Sequence, residues 1–270
     1  MIKLTVIVPV YNVSRYVERC LQSVDSQTLS DIEVLLVDDH GLDESMDIAK
    51  RFAAQSQRTD IHYRFAATSV NSGPGAARNV GLQLAQGEYV AFLDADDWVE
   101  KDMYEVLYTR AKAANADMSC CNASQDYEDG CVSNLLAHPT IAQGELTVKE
   151  RKKLLTTYVA YLWTYIFRRE WLIGNGITFP DAKSAEDSSF VACCMLSANR
   201  VSQTDKALYH YVMHAGSLTR RRVWKGADKR RAFGEMLNYA KRQGLMSEYR
   251  WQLYYVYLKK ALLVPIIEML

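Results

Sequence analysis

Two apolar runs near the N-terminus, residues 4–10 and 32–37, constrain the fold more than any other feature of this chain. Neither alternates polar with apolar positions, so each reads as a strand covered on both faces rather than one with a wet side. Between them, residues 14–27 carry apolar side chains at Val17, Cys20, Leu21 and Val24, the spacing of one helix face. Strand, helix, strand is the resulting order, and it repeats. Residues 43–54 read as a helix, 63–66 as a short strand, 75–84 as a helix and 89–93 as a strand. Repeated β-α-β units imply an α/β protein with a Rossmann-like, mostly parallel sheet flanked by helices.

Open sheets of this kind bind ligands at the carboxyl ends of their strands. Here the first strand is followed by Tyr11 and Asn12, the second by Asp38 and Asp39, and the strand at 89–93 by Asp94, Asp96 and Asp97. Three strand ends therefore converge on one crevice. Carboxylates this crowded repel one another unless a hard divalent cation or a set of donors compensates them, and oxygen ligands favour Mg²⁺ or Mn²⁺. The competing interpretation is an acidic turn in which Asp94 or Asp96 caps a helix over residues 98–114. A glycine-rich dinucleotide fingerprint is absent, because the first strand leads into Pro9-Val10-Tyr11-Asn12, and a P-loop is absent as well.

Beyond residue 115 the pattern loosens. Residues 117–122 suggest a further strand, and 124–144 are rich in turn formers expected to wrap the surface. Helical spacing returns at 148–160, 188–198, 225–244 and 248–263. The tail gathers Trp251, Tyr254, Tyr255, Tyr257, Leu258, Leu262 and Leu263 around Lys259 and Lys260. It reads as a packed terminal helix, with peripheral membrane contact or self-association as the other use of such a face.

The composition, 270 residues with 49% hydrophobic and 24% charged, is that of a globular chain. Equal numbers of basic and acidic residues, 32 each, give no global field for nucleic acid, so any anion site must be local. The six cysteines include two adjacent pairs and no zinc-like couple, which points to reduced, buried thiols. Neither a signal-peptide pattern at the N-terminus nor an apolar run near the ~20 residues of a membrane span is present, and a cytoplasmic protein is expected.

The ordered series Val6-Ile7-Val8-Pro9-Val10-Tyr11-Asn12, Val37-Asp38-Asp39, Gly75-Ala76-Ala77-Arg78-Asn79-Val80-Gly81, Gly87-Glu88-Tyr89-Val90, Phe92-Leu93-Asp94-Ala95-Asp96-Asp97, Trp163, Glu186-Asp187 and Gly216-Ser217-Leu218-Thr219 resembles the family 2 glycosyltransferases. These are inverting enzymes with the GT-A fold, many of them in bacterial polysaccharide synthesis. The likeness covers roughly residues 3–220. It implies transfer of a sugar from a nucleotide-sugar donor, UDP-linked in this reading, to a hydroxyl of a glycan or lipid-linked acceptor, near the inner face of the cell membrane. It also implies a division into a nucleotide-sugar-binding half (residues 1–115), an acceptor-binding and catalytic half (116–222) and a helical C-terminal extension (223–270).

By the same resemblance, Pro9, Tyr11, Asn12 and Asp39 belong to the nucleotide pocket, where a tyrosine ring can stack on a base and a carboxylate can accept from a uracil imide. Arg78 and Asn79 border the same crevice, and Arg78 suits either a phosphate or a bridge from its helix to Asp94 or Asp96. Asp96 is the expected metal ligand, for Mn²⁺ or Mg²⁺, and Asp94 a nucleotide contact. An inverting transfer needs a base, a role that falls to the pair Glu186 and Asp187, Asp187 foremost. Residues 208–219 resemble a closing loop over the diphosphate, with His214, Ser217 and Arg220 as candidate contacts. Val212 departs from the family, which often has arginine there, and Trp163-Thr164-Tyr165 departs from Trp-Asn-Lys, leaving Trp163 as an acceptor platform or a core residue. A non-catalytic nucleotide-sugar-binding protein and a sugar-phosphate nucleotidyltransferase are the alternatives. The latter calls for a glycine-rich basic loop that the first strand lacks.

Overall fold

The computed structural model describes residues 1–128, 133–141, 144–214 and 226–263. Its first half follows the expected alternation: β1 (Leu4–Val10), α1 (Val17–Asp25), β2 (Ile32–Asp38), α2 (Ser45–Gln55), β3 (Ile61–Ala67), α3 (Pro74–Leu84) and β4 (Tyr89–Phe92). These four strands are parallel, in the order β3-β2-β1-β4. Alternate residues of each strand serve different layers. Ile7, Leu35 and Phe92 pack with α3 and later helices, whereas Val6, Val8 and Leu36 pack with α1 and α2. Burial on both faces is why these runs do not alternate. Helix α3 lies directly on β1, since a Cβ on Gly81 would stand 2.3 Å from Ile7 Cγ2.

The second half departs from the sequence reading at Trp98 and again beyond residue 122. Trp98 does not begin a helix: Trp98–Val99 forms β5, and α4 starts only at Met103–Ala113. The reason is a distant partner, because β5 pairs antiparallel with β10 (Arg200–Met213), and the Trp98 ring stacks on His210 at 3.5 Å. Strand β6 (Met118–Tyr127) runs past residue 122 and pairs with β7 (Asn134–Leu136), so part of the expected surface wrap belongs to the sheet. A short β8 (Gly144–Glu145) and helix α5 (Val148–Thr157) follow. Then β9 (Tyr165–Arg168) lies antiparallel between β4 and β6, and β10 runs parallel to β6. Among the described residues the ten strands form one sheet, with main path β3-β2-β1-β4-β9-β6-β10-β5.

Helices α6 (Arg169–Gly174), α7 (Glu186–Ser197), α8 (Gly226–Arg242) and α9 (Met246–Tyr257) complete the chain, and the last continues as a π-helical turn, Leu258–Leu263. Helix α9 buries Tyr249, Leu253 and Val256 while Trp251, Tyr254, Tyr255 and Leu258 stay exposed. No helix among the described residues is long and apolar enough to cross a membrane. Cys20, Cys120, Cys121, Cys193 and Cys194 are free and buried, as expected of reduced thiols.

Candidate active site

The carboxyl ends of β1, β2 and β4 place the candidate residues along one edge of the sheet. Tyr11, just beyond β1, is 46% exposed and presents a free ring face. Pro9 sits where β1 has run past its ladder with β4, which ends at Ile7, so its missing N–H leaves no pair unmade. Asn12 takes a positive φ of 53°, and its Oδ1 accepts from the backbone N–H of Leu42 at 2.7 Å. Asp39 is buried and binds the loop that leads into α3. It accepts from Thr68 Oγ1 at 3.0 Å, from the Ser72 N–H at 2.9 Å and from the Gly73 N–H at 2.8 Å.

Helix α3 supplies two side chains with different duties. Asn79 clamps the backbone of Phe179, donating to its carbonyl and accepting from its N–H, each at 2.9 Å. Arg78 is buried and takes the bridging alternative: Nη2 donates to Asp94 Oδ1 at 2.7 Å and Nη1 to Glu186 Oε1 at 3.1 Å. Burial opposes its charge, but Asp94 and then Glu186 override that and hold the guanidinium firmly protonated. Beneath it lies Phe179, its ring 5.6 Å from the Arg78 Cζ and stacked on Phe190 at 4.0 Å. Gly75 makes this proximity feasible, because a Cβ there would lie 3.0 Å from Glu186 Cγ.

The three aspartates after β4 do not act as one cluster. Asp97 is completely buried and belongs to the scaffold: Oδ2 accepts from the Tyr209 hydroxyl at 2.6 Å and Oδ1 from the Val212 N–H at 2.8 Å. Burial, followed by the charges of Asp96 and Asp94, pushes its carboxyl well above the usual range. Asp94 and Asp96 remain about one-third exposed, at 31% and 28% of their side chains. Burial and then Asp94 raise the Asp96 carboxyl, and His214 Nε2 stands 2.9 Å from its Oδ2. Among the described residues no three His, Cys, Asp or Glu side chains converge on a common point. The donor set still fits a hard divalent ion of the kind that takes one or two protein carboxylates and fills its shell with water and substrate phosphate.

Helix α1 adds residues that sequence reasoning missed. Arg19 Nη2 donates to the Asp96 carbonyl at 2.8 Å, and Tyr16 packs its ring 4.4 Å from His214. The basic residues Arg15, in the turn before α1, and Arg19, in its first turn, were the available signal. Val212 is buried and engaged through its backbone, so no cation stands at that position. Ser217 and Arg220, with Gly216, Leu218, Thr219, Arg221 and Arg222, lie outside the described residues.

Across the crevice, α7 begins with the second acidic doublet. Ala185, immediately before it, is held left-handed at φ 64°, a conformation costly for a residue with a Cβ and commonest near functional sites. Glu186 is buried against Arg78, whereas Asp187 is partly exposed and accepts from the Ser188 N–H at 2.6 Å. Burial raises both carboxyls, with Asp187's charge adding to the rise at Glu186 and Arg78 opposing it at each. Trp163 lies in an aromatic stack, 5.2 Å from Tyr161, 4.2 Å from Tyr209 and 5.7 Å from Tyr211. The platform is therefore continuous with the tyrosine that holds Asp97. Behind it, His138 is buried between the Thr164 and Tyr165 hydroxyls, and burial drives its pKa down to about 4.

This arrangement agrees with three comparisons. The model of Glycosyl transferase family 2 matches residues 5–173. The uncharacterized glycosyltransferase EpsJ of Bacillus subtilis is 34% identical over 80% of this chain, which spans 62% of that relative's length. The crystal structure of residues 1–349 of TarS from Staphylococcus aureus, in complex with UDP-GlcNAc, superposes with a TM-score of 0.71 at 26% identity, covering 96% of this chain and 74% of that one. A mannosyltransferase from Pyrobaculum calidifontis shares the fold at 19% identity and a TM-score of 0.64. Family model, relative and GT-A neighbours agree, and the chain belongs to glycosyl transferase family 2.

Proposed function

We propose that the protein transfers a sugar from a UDP-linked donor to a hydroxyl of a glycan or lipid-linked acceptor, with inversion at the anomeric carbon. The observation that carries this reading is the Arg78 bridge, which ties Asp94 of the β4 acids to Glu186 of the α7 doublet and so brings the two acidic centres together on one guanidinium. Tyr11 offers its exposed ring to the base, and Asp39, one carboxylate oxygen of which has a single bonded donor, rigidifies the pocket floor beside it. The TarS complexes with UDP and UDP-GlcNAc support a uridine donor here.

Asp187 acts as the base. It is the member of its doublet with access to the crevice, and its raised pKa makes it a stronger proton acceptor than an ordinary carboxylate. Glu186 and Arg78 hold the α7 N-terminus so that this carboxylate faces the attacking hydroxyl. Trp163 provides an apolar surface for the acceptor ring, and Arg19 and His214 fix the Asp96 turn. Asp96, with His214 beside it, would hold Mn²⁺ or Mg²⁺, which would supply charge neutralisation for the departing nucleoside diphosphate. Cell-surface polysaccharide or glycolipid synthesis at the cytoplasmic face of a membrane is the setting we assign. The exposed Trp251, Tyr254 and Tyr255 of α9, with Leu258 of the turn that follows, suit peripheral contact there.

The test is calorimetric titration with UDP in Mn²⁺ and again in EDTA, with GDP as competitor, followed by donor turnover. Metal-dependent, UDP-selective binding with slow hydrolysis of a UDP-sugar is expected. Binding without any turnover over a donor and acceptor panel would favour a binding protein, and no nucleotide binding would overturn the reading.

A further inference from the structure

The family model stops at residue 173, yet the C-terminal π-helical turn reaches back to the α7 N-terminus. The link runs through Tyr158 at the end of α5. Its hydroxyl donates to the Ser188 carbonyl at 3.0 Å, one residue after Asp187, and its ring carries the Lys260 ammonium 4.6 Å from the centroid. Lys260 is only partly exposed, and its neighbour Ala261 is fully buried, so the turn is seated rather than draped. A wide turn of this type re-phases the side chains that follow a regular helix and is frequent at functional sites.

We infer that Lys260 is a positioning residue for the transfer reaction: held on the Tyr158 ring, whose hydroxyl bonds the Ser188 carbonyl, its ammonium sets the start of α7 beside Asp187 and ties the C-terminal helices to catalysis. This rests on the assignment of Asp187 as base. The groups that face Asp187 are Glu186 on its own helix, Arg78 on α3, Asp94 after β4, the Tyr158 hydroxyl and Lys260 itself. Those that face Lys260 are Asp187, Lys259 and Lys229 on α8. Burial and Asp94 push the Asp187 carboxyl upward, and Arg78 offsets them while already serving Asp94 and Glu186. Lys260 is the second cation acting in that direction. Burial lowers the Lys260 pKa and Asp187 opposes that fall, so each group favours the charged form of the other.

The experiment measures the pH profile of UDP-sugar turnover for the wild type, Lys260→Met and Lys260→Arg, beside an NMR titration of the Asp187 carboxyl assigned with Asp187→Asn. The expected result is that Lys260→Met moves the acid limb of kcat upward, with UDP affinity unchanged and Lys260→Arg restoring the profile. A raised acceptor KM with an unmoved limb would show that Lys260 meets the acceptor instead and overturn the inference. If the wild type lacks turnover altogether, the transferase reading fails. The NMR titration then still decides for Lys260, because an Asp187 pKa equal in wild type and Lys260→Met overturns it. Should Lys260→Met fold poorly, Lys260→Gln replaces it in both measurements.

Discussion

Asp96–Asp97 after β4 and Glu186–Asp187 at the start of α7 are two acidic doublets, and each keeps one member for the scaffold and leaves one partly open. The means differ. Asp97 is satisfied by neutral donors, the Tyr209 hydroxyl and the Val212 N–H, while Glu186 is satisfied by the charge of Arg78. Neutral donors bind the buried Asp97 carboxyl without bringing a charge to it. The Arg78 guanidinium instead brings a charge, and shares it between Glu186 and Asp94 of the β4 turn.

The largest effect expected to sharpen this contrast is catalytic. Asp187→Asn should lower transfer by about 10²–10⁴-fold without weakening UDP binding, whereas Glu186→Gln, which still offers Arg78 an oxygen, should lose far less. Equal losses from the two would break the division between open and scaffold members. Next comes the ion pair: Arg78→Met strands two carboxylates and should cost about 3–5 kcal/mol in urea unfolding.

A third test uses His138, which is also held by neutral hydroxyls. Its folded pKa of about 4 lies below the unfolded value of about 6.5. Above pH 6.5 the two states are equally unprotonated and nothing is lost. Below it the unfolded chain takes up a proton that the folded one refuses, so stability falls until about pH 4. The loss is about 2–3 kcal/mol, and His138→Gln should flatten the unfolding midpoint between those limits. Asp97→Asn should cost less than Arg78→Met, about 1–3 kcal/mol, because one of two neutral donors loses its acceptor. The smallest effect is at Ala185, where Ala185→Gly should raise the thermal midpoint by the equivalent of about 1 kcal/mol.

The parallel half of the fold was legible because both faces of β1 and β2 are covered, leaving uninterrupted apolar runs. Strand β10 was not, since Thr204, Asp205 and Lys206 interrupt it where its register against β6 shifts, between Gln203 and Ala207. Strand β9 has four residues, too few for periodicity to register. The acidic doublets were visible as residue types, but the split between Asp96 and Asp97 depends on Tyr209, Val212 and His214, and no local pattern announces partners so far along the chain. Arg78 could be read both as a phosphate ligand and as a bridge, and only the packing of α7 against α3 favours the second.

The partners of the β4 acids also set an order of events. Tyr209 and Val212 lie 112 and 115 positions after Asp97, and His214 lies 118 after Asp96. Closing loops of that length is slow and brings its reward late. During synthesis the acidic turn therefore emerges after Arg19 and Arg78, which meet Asp96 and Asp94, but long before the partners that bury Asp97, and that carboxylate stays solvated until β10 docks along β6. The crevice gains the partners of Asp97 and the His214 contact of Asp96 only with that strand, so a chain stalled or cut before it would carry the family's acidic signature with Asp97 unburied.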